Sequence, residues 1–106
     1  MVWFDPKNTL ILVALKAELP NEMIPSWNVA YTGVGKVNAA LKGSEYVARY
    51  KPMNLINFGT AGALNPELSG LLEVTQFFQR DMDARDMGFA LGQTPFEEAP
   101  YVSAQG

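Results

Sequence analysis

The chain has 106 residues, of which 48% are hydrophobic and 18% are charged, a composition typical of one soluble globular domain. Eight Lys and Arg against eleven Asp and Glu give a net charge of −3, which argues against a nucleic-acid partner. The longest apolar run, Leu10 to Leu15, is far shorter than the ~20 residues of a membrane-spanning helix and too short for a signal peptide. We therefore expect no membrane partner and a cytoplasmic location.

Neither Cys nor His occurs in the chain. This excludes disulfides, thiolate ligands, thiol catalysis and imidazole acid–base chemistry, and it removes the commonest metal ligand. We therefore expect no metal site and no cofactor, and any chemistry must use carboxylates, hydroxyls, Lys, Arg and the backbone.

The first half of the chain begins with two predicted strands. Residues 9–15 form a continuous apolar run, which predicts a strand buried on both faces of a parallel sheet. Residues 17–23 allow one or two helical turns, which Pro20 and Pro25 limit. Residues 27–32 predict the second strand, which ends at a glycine.

A helix and two more strands are predicted after the second strand. From Gly35 the apolar period becomes 3.6 residues, which predicts a helix over residues 36–50 that ends before Pro52. Its apolar and small side chains share one face: Val37, Ala40, Leu41, Ser44 and Val47. Residues 53–58 and 71–78 predict the third and fourth strands. Residues 80–106 show no clear period.

A strand–helix–strand order with a glycine turn after each strand is typical of an α/β fold with parallel strands. Ligands of such sheets bind at the carboxyl ends of the strands. Three such ends are marked here, by Glu18, by residues 33–36 and by residues 59–62. We therefore expect Glu18 to face the turn at residues 59–62 across one edge of the sheet.

The sequence Gly33-Val34-Gly35-Lys36 fits neither of two nucleotide-binding motifs. A Walker A loop needs Gly where Ala30 stands and a hydroxyl residue in place of Val37. A dinucleotide fingerprint needs Gly where Asn38 stands. This segment is interpreted as a tight turn between strand and helix.

The other two strand ends each leave two interpretations open. Gly59-Thr60-Ala61-Gly62 is either a permissive turn or a ligand cradle of backbone N–H groups and the Thr60 hydroxyl. Glu18 is either an acid in the first turn of a helix, where the helix macrodipole favours its charge, or a general base whose pKa desolvation raises.

Acidic and basic residues alternate between Arg80 and Asp86. Without His and without the spaced ligands of a calcium loop, this pattern favours a salt-bridged surface segment over a cation site.

Four segments, taken together and in order, resemble the nucleoside phosphorylase/nucleosidase superfamily, and most closely its 5′-methylthioadenosine/S-adenosylhomocysteine nucleosidases. The segments are residues 14–18 (ALKAE), 32–40 (TGVGKVNAA), 57–64 (NFGTAGAL) and 81–93 (DMDARDMGFALGQ). The resemblance implies an α/β fold with a mostly parallel central sheet flanked by helices.

The resemblance also implies an activity, the hydrolysis of the N-glycosidic bond of a purine nucleoside with release of adenine. Glu18 stands where the family has its water-activating carboxylate, and Thr60 where a hydroxyl helps to place that water. Ala61 and Gly62 correspond to residues whose backbone lies beside purine and ribose. Met87 and Phe89 correspond to residues that line the 5′-substituent pocket of the partner in a homodimer.

Several departures from the family pattern accompany these matches. Met87 replaces an aromatic residue, Arg80 stands where His is common, and Ala63 replaces a glycine. The family's later half carries a Met-Glu pair that grips the ribose hydroxyls and an Asp that protonates the purine. We therefore expect residues 1–106 to be a single domain forming the N-terminal half of a nucleosidase, completed by further sequence or a second chain.

Two alternative functions stay open. A phosphorylase of the same superfamily would use phosphate in place of water, although Lys16-Ala17-Glu18 stands where phosphorylases place a phosphate loop. A carboxylate at that place would repel phosphate. The second alternative is a non-catalytic fragment that binds nucleosides or mediates oligomerisation.

Overall fold

The structure is a computed structural model, which describes residues 4–104. The chain divides into two compact units, Met1–Gly62 and Ala63–Gly106. That the 106 residues form a single domain stays a prediction.

The first unit is built on a parallel three-stranded sheet with the order β2-β1-β3. The strands are β1 (Thr9–Val13), β2 (Asn28–Tyr31) and β3 (Asn54–Asn57). Each lies within a predicted strand and is one or two residues shorter at its ends. The predicted α/β class with parallel strands is therefore confirmed.

The central strand β1 carries most of the core. Leu10 and Val13 are 1% and 0% exposed, and the buried hydrophobic residues among residues 4–104 are Leu10, Ile11, Val13 and Ala30. The edge strand β3 is covered less well, since Leu55 on it is half exposed. The core of this unit is accordingly small and centred on one strand, as predicted for the first apolar run.

One α-helix, α1 (Lys36–Tyr50), connects β2 to β3, with the bounds that the sequence predicts. Gly33 and Gly35 have φ values of +82° and +96°, in the region that favours glycine, which confirms the tight turn before the helix. No helix among residues 4–104 combines the length and the apolar character that crossing a membrane requires.

The apolar face predicted for α1 is exposed, in contrast to the packing that its pattern suggests. Gly43 is the buried residue of the helix, and a Cβ atom there would lie 3.4 Å from the side chain of Leu12. Because glycine lets the helix approach β1 closely, this line of the helix lies against the sheet. The five residues of the apolar face, all exposed, are centred about 100° around the helix from that line: Val37, Ala40, Leu41, Ser44 and Val47.

Two 3₁₀ turns, Lys16–Glu18 and Asn21–Met23, connect β1 to β2. They confirm the one or two turns predicted over residues 17–23. Pro20 lies between them with φ −60° and ψ 130°, an extended conformation that separates the turns.

The second unit contains an antiparallel pair, β4 (Gln76–Phe77) with β5 (Val102–Ser103). The predicted strand over residues 71–78 is therefore wrong for all but two residues. Leu71, Leu72 and Val74 are exposed and lie outside any strand. Strand propensity takes effect only against a partner and a half-buried surface. Among the described residues, 71–74 pair with no strand, and Thr75 accepts one backbone hydrogen bond, from Ala104 at 2.9 Å, at the end of the β4–β5 pair.

Because the core is small, we expect the free energy of unfolding to depend strongly on its central residues. Leu10→Ala should lower the free energy of unfolding by about 2–5 kcal/mol, because it leaves a cavity at the centre of the sheet. Leu64→Ala is the matched control, since Leu64 is fully exposed (102%), and should change it by less than about 0.5 kcal/mol. Urea unfolding of the 106-residue chain measures both. Equal effects of the two substitutions would contradict a core centred on β1.

Candidate active site

Glu18 lies in the 3₁₀ turn that directly follows β1. Its backbone N–H donates to the Leu15 carbonyl at 3.0 Å, and its Oε1 accepts from the Leu15 N–H at 3.0 Å. The side chain thus folds back over the start of its own turn, as an acid at the third position of a helical turn does. The predicted position of Glu18 in the first turn of a helix is therefore confirmed, for a 3₁₀ turn.

The other carboxylate oxygen binds Thr60, 42 positions along the chain. Oε2 accepts from the Thr60 N–H at 2.9 Å and from the Thr60 hydroxyl at 2.7 Å. Parallel pairing brings the two residues together, because the Phe58 N–H still donates to Leu12 O (2.9 Å) just beyond the end of β3. A Cβ atom at Gly59 would lie 3.5 Å from Oε2, so the carboxylate also lies against the backbone of the glycine turn.

These hydrogen bonds favour the ionised form of Glu18. The Thr60 hydroxyl, the Thr60 N–H and the Leu15 N–H hold the pKa of Glu18 below its ordinary value of 4.5, and desolvation opposes them more weakly. The raised pKa expected from the sequence is wrong in direction, since Glu18 is only half-buried. Because the folded pKa is the lower one, these bonds stabilise the fold above the ordinary pKa and cease to do so as the pH falls through the folded pKa.

The carboxylate retains some capacity to bind. An ionised carboxylate has about four acceptor positions, and the bonds to Leu15 and Thr60 use three of them. Glu18 is half-buried and Thr60 is exposed, so a small molecule can reach both. The pair can therefore accept one further donor at the carboxyl edge of the sheet.

The other predicted site residues fall into two groups. Ala61 and Gly62 follow Thr60 directly, and both are exposed, with nothing within 4 Å of a Cβ atom at Gly62. Met87 and Phe89 lie in the second unit, where Met87 ends the 3₁₀ turn Arg85–Met87. Met87 is exposed, whereas Phe89 packs edge-on against Phe96 with ring centroids 5.4 Å apart. Their binding roles stay predictions.

The charged segment from Arg80 to Asp86 contains a surface ion pair. The Arg85 Nε and Nη2 atoms donate to the two Asp83 oxygens at 2.8 and 2.7 Å. This bidentate contact lowers the pKa of Asp83 to about 2. The predicted ion pairing of the segment is therefore confirmed.

Tyr31, a further residue at this edge of the sheet, was not predicted from the sequence. Tyr31 ends β2, and its hydroxyl donates to the Leu19 carbonyl at 2.8 Å and accepts from the Asn21 N–H at 2.9 Å. Both partners lie just beyond Glu18. The only signal in the sequence was its position at the carboxyl end of a predicted strand.

Together these features define an α/β protein with a carboxylate and a hydroxyl paired at the carboxyl edge of a parallel sheet. The family model of the phosphorylase superfamily matches residues 26–105, and the chain belongs to that superfamily. The resemblance carried by the four sequence segments is thereby confirmed.

The most informative relatives are nucleosidases. The chain is 34% identical over 74 residues to a 5′-methylthioadenosine/S-adenosylhomocysteine nucleosidase of Marinomonas sp., a match that covers 68% of this chain and 32% of the relative. It is 39% identical over 76 residues to a 5′-methylthioadenosine/S-adenosylhomocysteine nucleosidase of Staphylococcus haemolyticus, a match that covers 70% of this chain and 33% of the relative. An aminodeoxyfutalosine nucleosidase of Campylobacter jejuni is 39% identical to this chain over 72 residues, and that match covers 66% of this chain and 31% of the relative. The matched part thus spans about a third of the length of these relatives.

The hydrogen bonds to Glu18 predict the effect of changing Thr60. Thr60→Val removes the hydroxyl that is the largest cause of the lowered pKa, so the pKa of Glu18 should rise toward its ordinary value. Thr60→Ser keeps the hydroxyl and should leave the pKa low. A carboxyl ¹³C NMR titration of the chain measures both, with Thr75→Val as a control distant in sequence. A pKa that is the same in all four proteins would contradict the hydrogen bond.

Proposed function

We propose that residues 1–106 are the N-terminal part of a purine nucleosidase. The enzyme hydrolyses the N-glycosidic bond of an adenine nucleoside such as 5′-methylthioadenosine or S-adenosylhomocysteine and releases adenine. The observation that carries the proposal is the hydrogen-bonded pair of Glu18 and Thr60 at the carboxyl edge of the sheet. The names of the relatives support the reaction class.

In the proposed reaction, water attacks C1′ of the ribose while the C1′–N bond breaks and its electron pair leaves with the purine. The transition state resembles an oxocarbenium ion, which a nearby carboxylate stabilises electrostatically. As the new C–O bond forms, the water proton passes to Glu18. The hydrogen bonds that lower the pKa of Glu18 favour its ionised form, which is the form that can accept this proton.

Thr60 places the water in this mechanism. Its hydroxyl hydrogen is directed to Glu18 Oε2, so its oxygen can accept a hydrogen bond from a water bound beside the carboxylate. One further donor also fits on Glu18. A water held by both groups has its oxygen lone pair free for the attack on C1′.

Substrate contacts are proposed for four further residues. Ala61 and Gly62 present an exposed backbone directly after Thr60, which suits close approach of ribose and purine. Met87 and Phe89 line the 5′-substituent pocket of the second subunit in a homodimer. This assignment rests on the family pattern of the segment.

The catalytic proposal is tested by Glu18→Gln, which keeps the size of the side chain but removes the base. The chain replaces the matching third of the Staphylococcus haemolyticus nucleosidase, and adenine release from methylthioadenosine is followed in phosphate-free buffer. Loss of a general base should lower kcat by about 10²–10⁴-fold. Glu45→Gln, an exposed change on α1, should leave kcat unchanged.

Three outcomes of this assay would contradict the proposal. A Glu18→Gln chimera that keeps more than a tenth of the unsubstituted rate excludes Glu18 as the base. A rate that requires phosphate identifies a phosphorylase. Adenine release by the 106-residue chain alone would show that the remaining two-thirds of the relatives are not needed.

The assembly proposal concerns the segment from Ala84 to Gln93. Met87 and Leu91 are exposed apolar side chains among charged residues, a pattern suited to a partner surface. The chimera should sediment as a homodimer at micromolar concentration, and Met87→Asp with Leu91→Asp should shift it toward monomer. An active monomer would contradict both the dimer and the shared pocket.

A further inference from the structure

The end of β2 holds the Glu18 turn on both of its sides. Before the turn, the N–H groups of Thr32 and Gly33 donate to the carbonyls of Val13 and Ala14 at 2.9 and 3.0 Å. After the turn, the Tyr31 hydroxyl bonds the backbone of residues 19 and 21. Three consecutive residues, 31–33, therefore fix where the turn begins and where it ends.

The Tyr31 hydroxyl uses its donor and an acceptor position in these contacts. It donates to Leu19 O in a part-buried hydrogen bond and accepts from the Asn21 N–H in an exposed one. No other natural side chain of this size supplies both functions at the end of a rigid ring. Phe would occupy the same volume and leave both backbone groups without the bond.

An ion pair that also spans the turn is weaker than the Tyr31 hydrogen bonds. Lys16 Nζ and Glu22 Oε1 form an ion pair at 2.7 Å, but both side chains are about two-thirds exposed. Exposed ion pairs contribute little because water and salt screen them. Tyr31 therefore holds the segment that follows Glu18 more firmly than this ion pair does.

We propose that Tyr31 is a positioning residue, which holds the Glu18 turn so that the carboxylate faces Thr60. It acts through the backbone of residues 19 and 21 and touches no reacting atom. Its importance for catalysis rests on the proposed function, whereas its effect on the position of Glu18 does not. Experiments can therefore refute the role of Tyr31 in catalysis and its effect on the position of Glu18 independently of each other.

The test uses amide hydrogen exchange and a carboxyl titration of the 106-residue chain. In Tyr31→Phe the amides of Asn21, Leu15 and Thr60 should exchange about 2- to 10-fold faster, the loss expected for one neutral hydrogen bond. The pKa of Glu18 should also rise toward its ordinary value, which a merely local loss of packing would not cause. Tyr46→Phe removes a phenol hydroxyl from α1 and should change none of these readouts.

A second variant attacks the same contact from the backbone. Asn21→Pro removes the N–H that donates a hydrogen bond to the Tyr31 hydroxyl. Asn21 is the first residue of a 3₁₀ turn, a position where proline is tolerated. It should speed exchange at Leu15 and Thr60, and in the Tyr31→Phe background it should add nothing to that change.

Unchanged exchange at Leu15 and Thr60 in folded Tyr31→Phe would overturn the proposal, as would additive effects of the two substitutions. Unfolding of both single variants would overturn it too, because Tyr31 would then hold the fold and not the turn. None of these measurements uses activity. An active Glu18→Gln enzyme would therefore reject the proposed function and leave the result on Tyr31 unaffected.

Discussion

The parallel pairing of β1 with both of its neighbours is the constraint on which the candidate site depends. Because β2 and β3 both run parallel to β1, the chain leaves all three strands at the same edge of the sheet. Glu18, the Gly33 turn and Thr60 follow these strands and therefore lie at that edge, where Glu18 and Thr60 form their hydrogen bonds. A slip of one residue in either pairing would turn alternate side chains to the opposite face and separate these groups.

At that edge, the balance between hydrogen bonding and desolvation determines what Glu18 can do. Three donors reach its carboxylate, one from its own turn and two from Thr60, and they outweigh the cost of partial burial. A carboxylate of this kind is a weaker base than a buried one, but it is ionised and oriented before a substrate arrives. In the proposed reaction, Glu18 would therefore contribute charge and placement as much as basicity.

Local patterns predicted the elements, and long-range contacts decided what the patterns left open. The apolar run at Thr9 and the 3.6-residue period after Gly35 predicted β1 and α1, because burial and periodicity are properties of neighbouring residues. The direction of the Glu18 pKa depends on a residue 42 positions away, and no local pattern contains it. Residues 71–74 have strand propensity but pair with no strand among the described residues. The bonds of Tyr31 become visible only when the end of β2 is placed beside residues 19 and 21.

One ionised carboxylate binds the amides of both Leu15 and Thr60, and an NMR pH titration of these amide protons tests this arrangement. Amide protons that donate to a carboxylate shift when it is protonated. The structure predicts that both amides titrate with one common midpoint, below the ordinary pKa of Glu, and that Glu18→Gln abolishes both transitions. Two different midpoints, or amides that do not titrate with Glu18, would contradict the account.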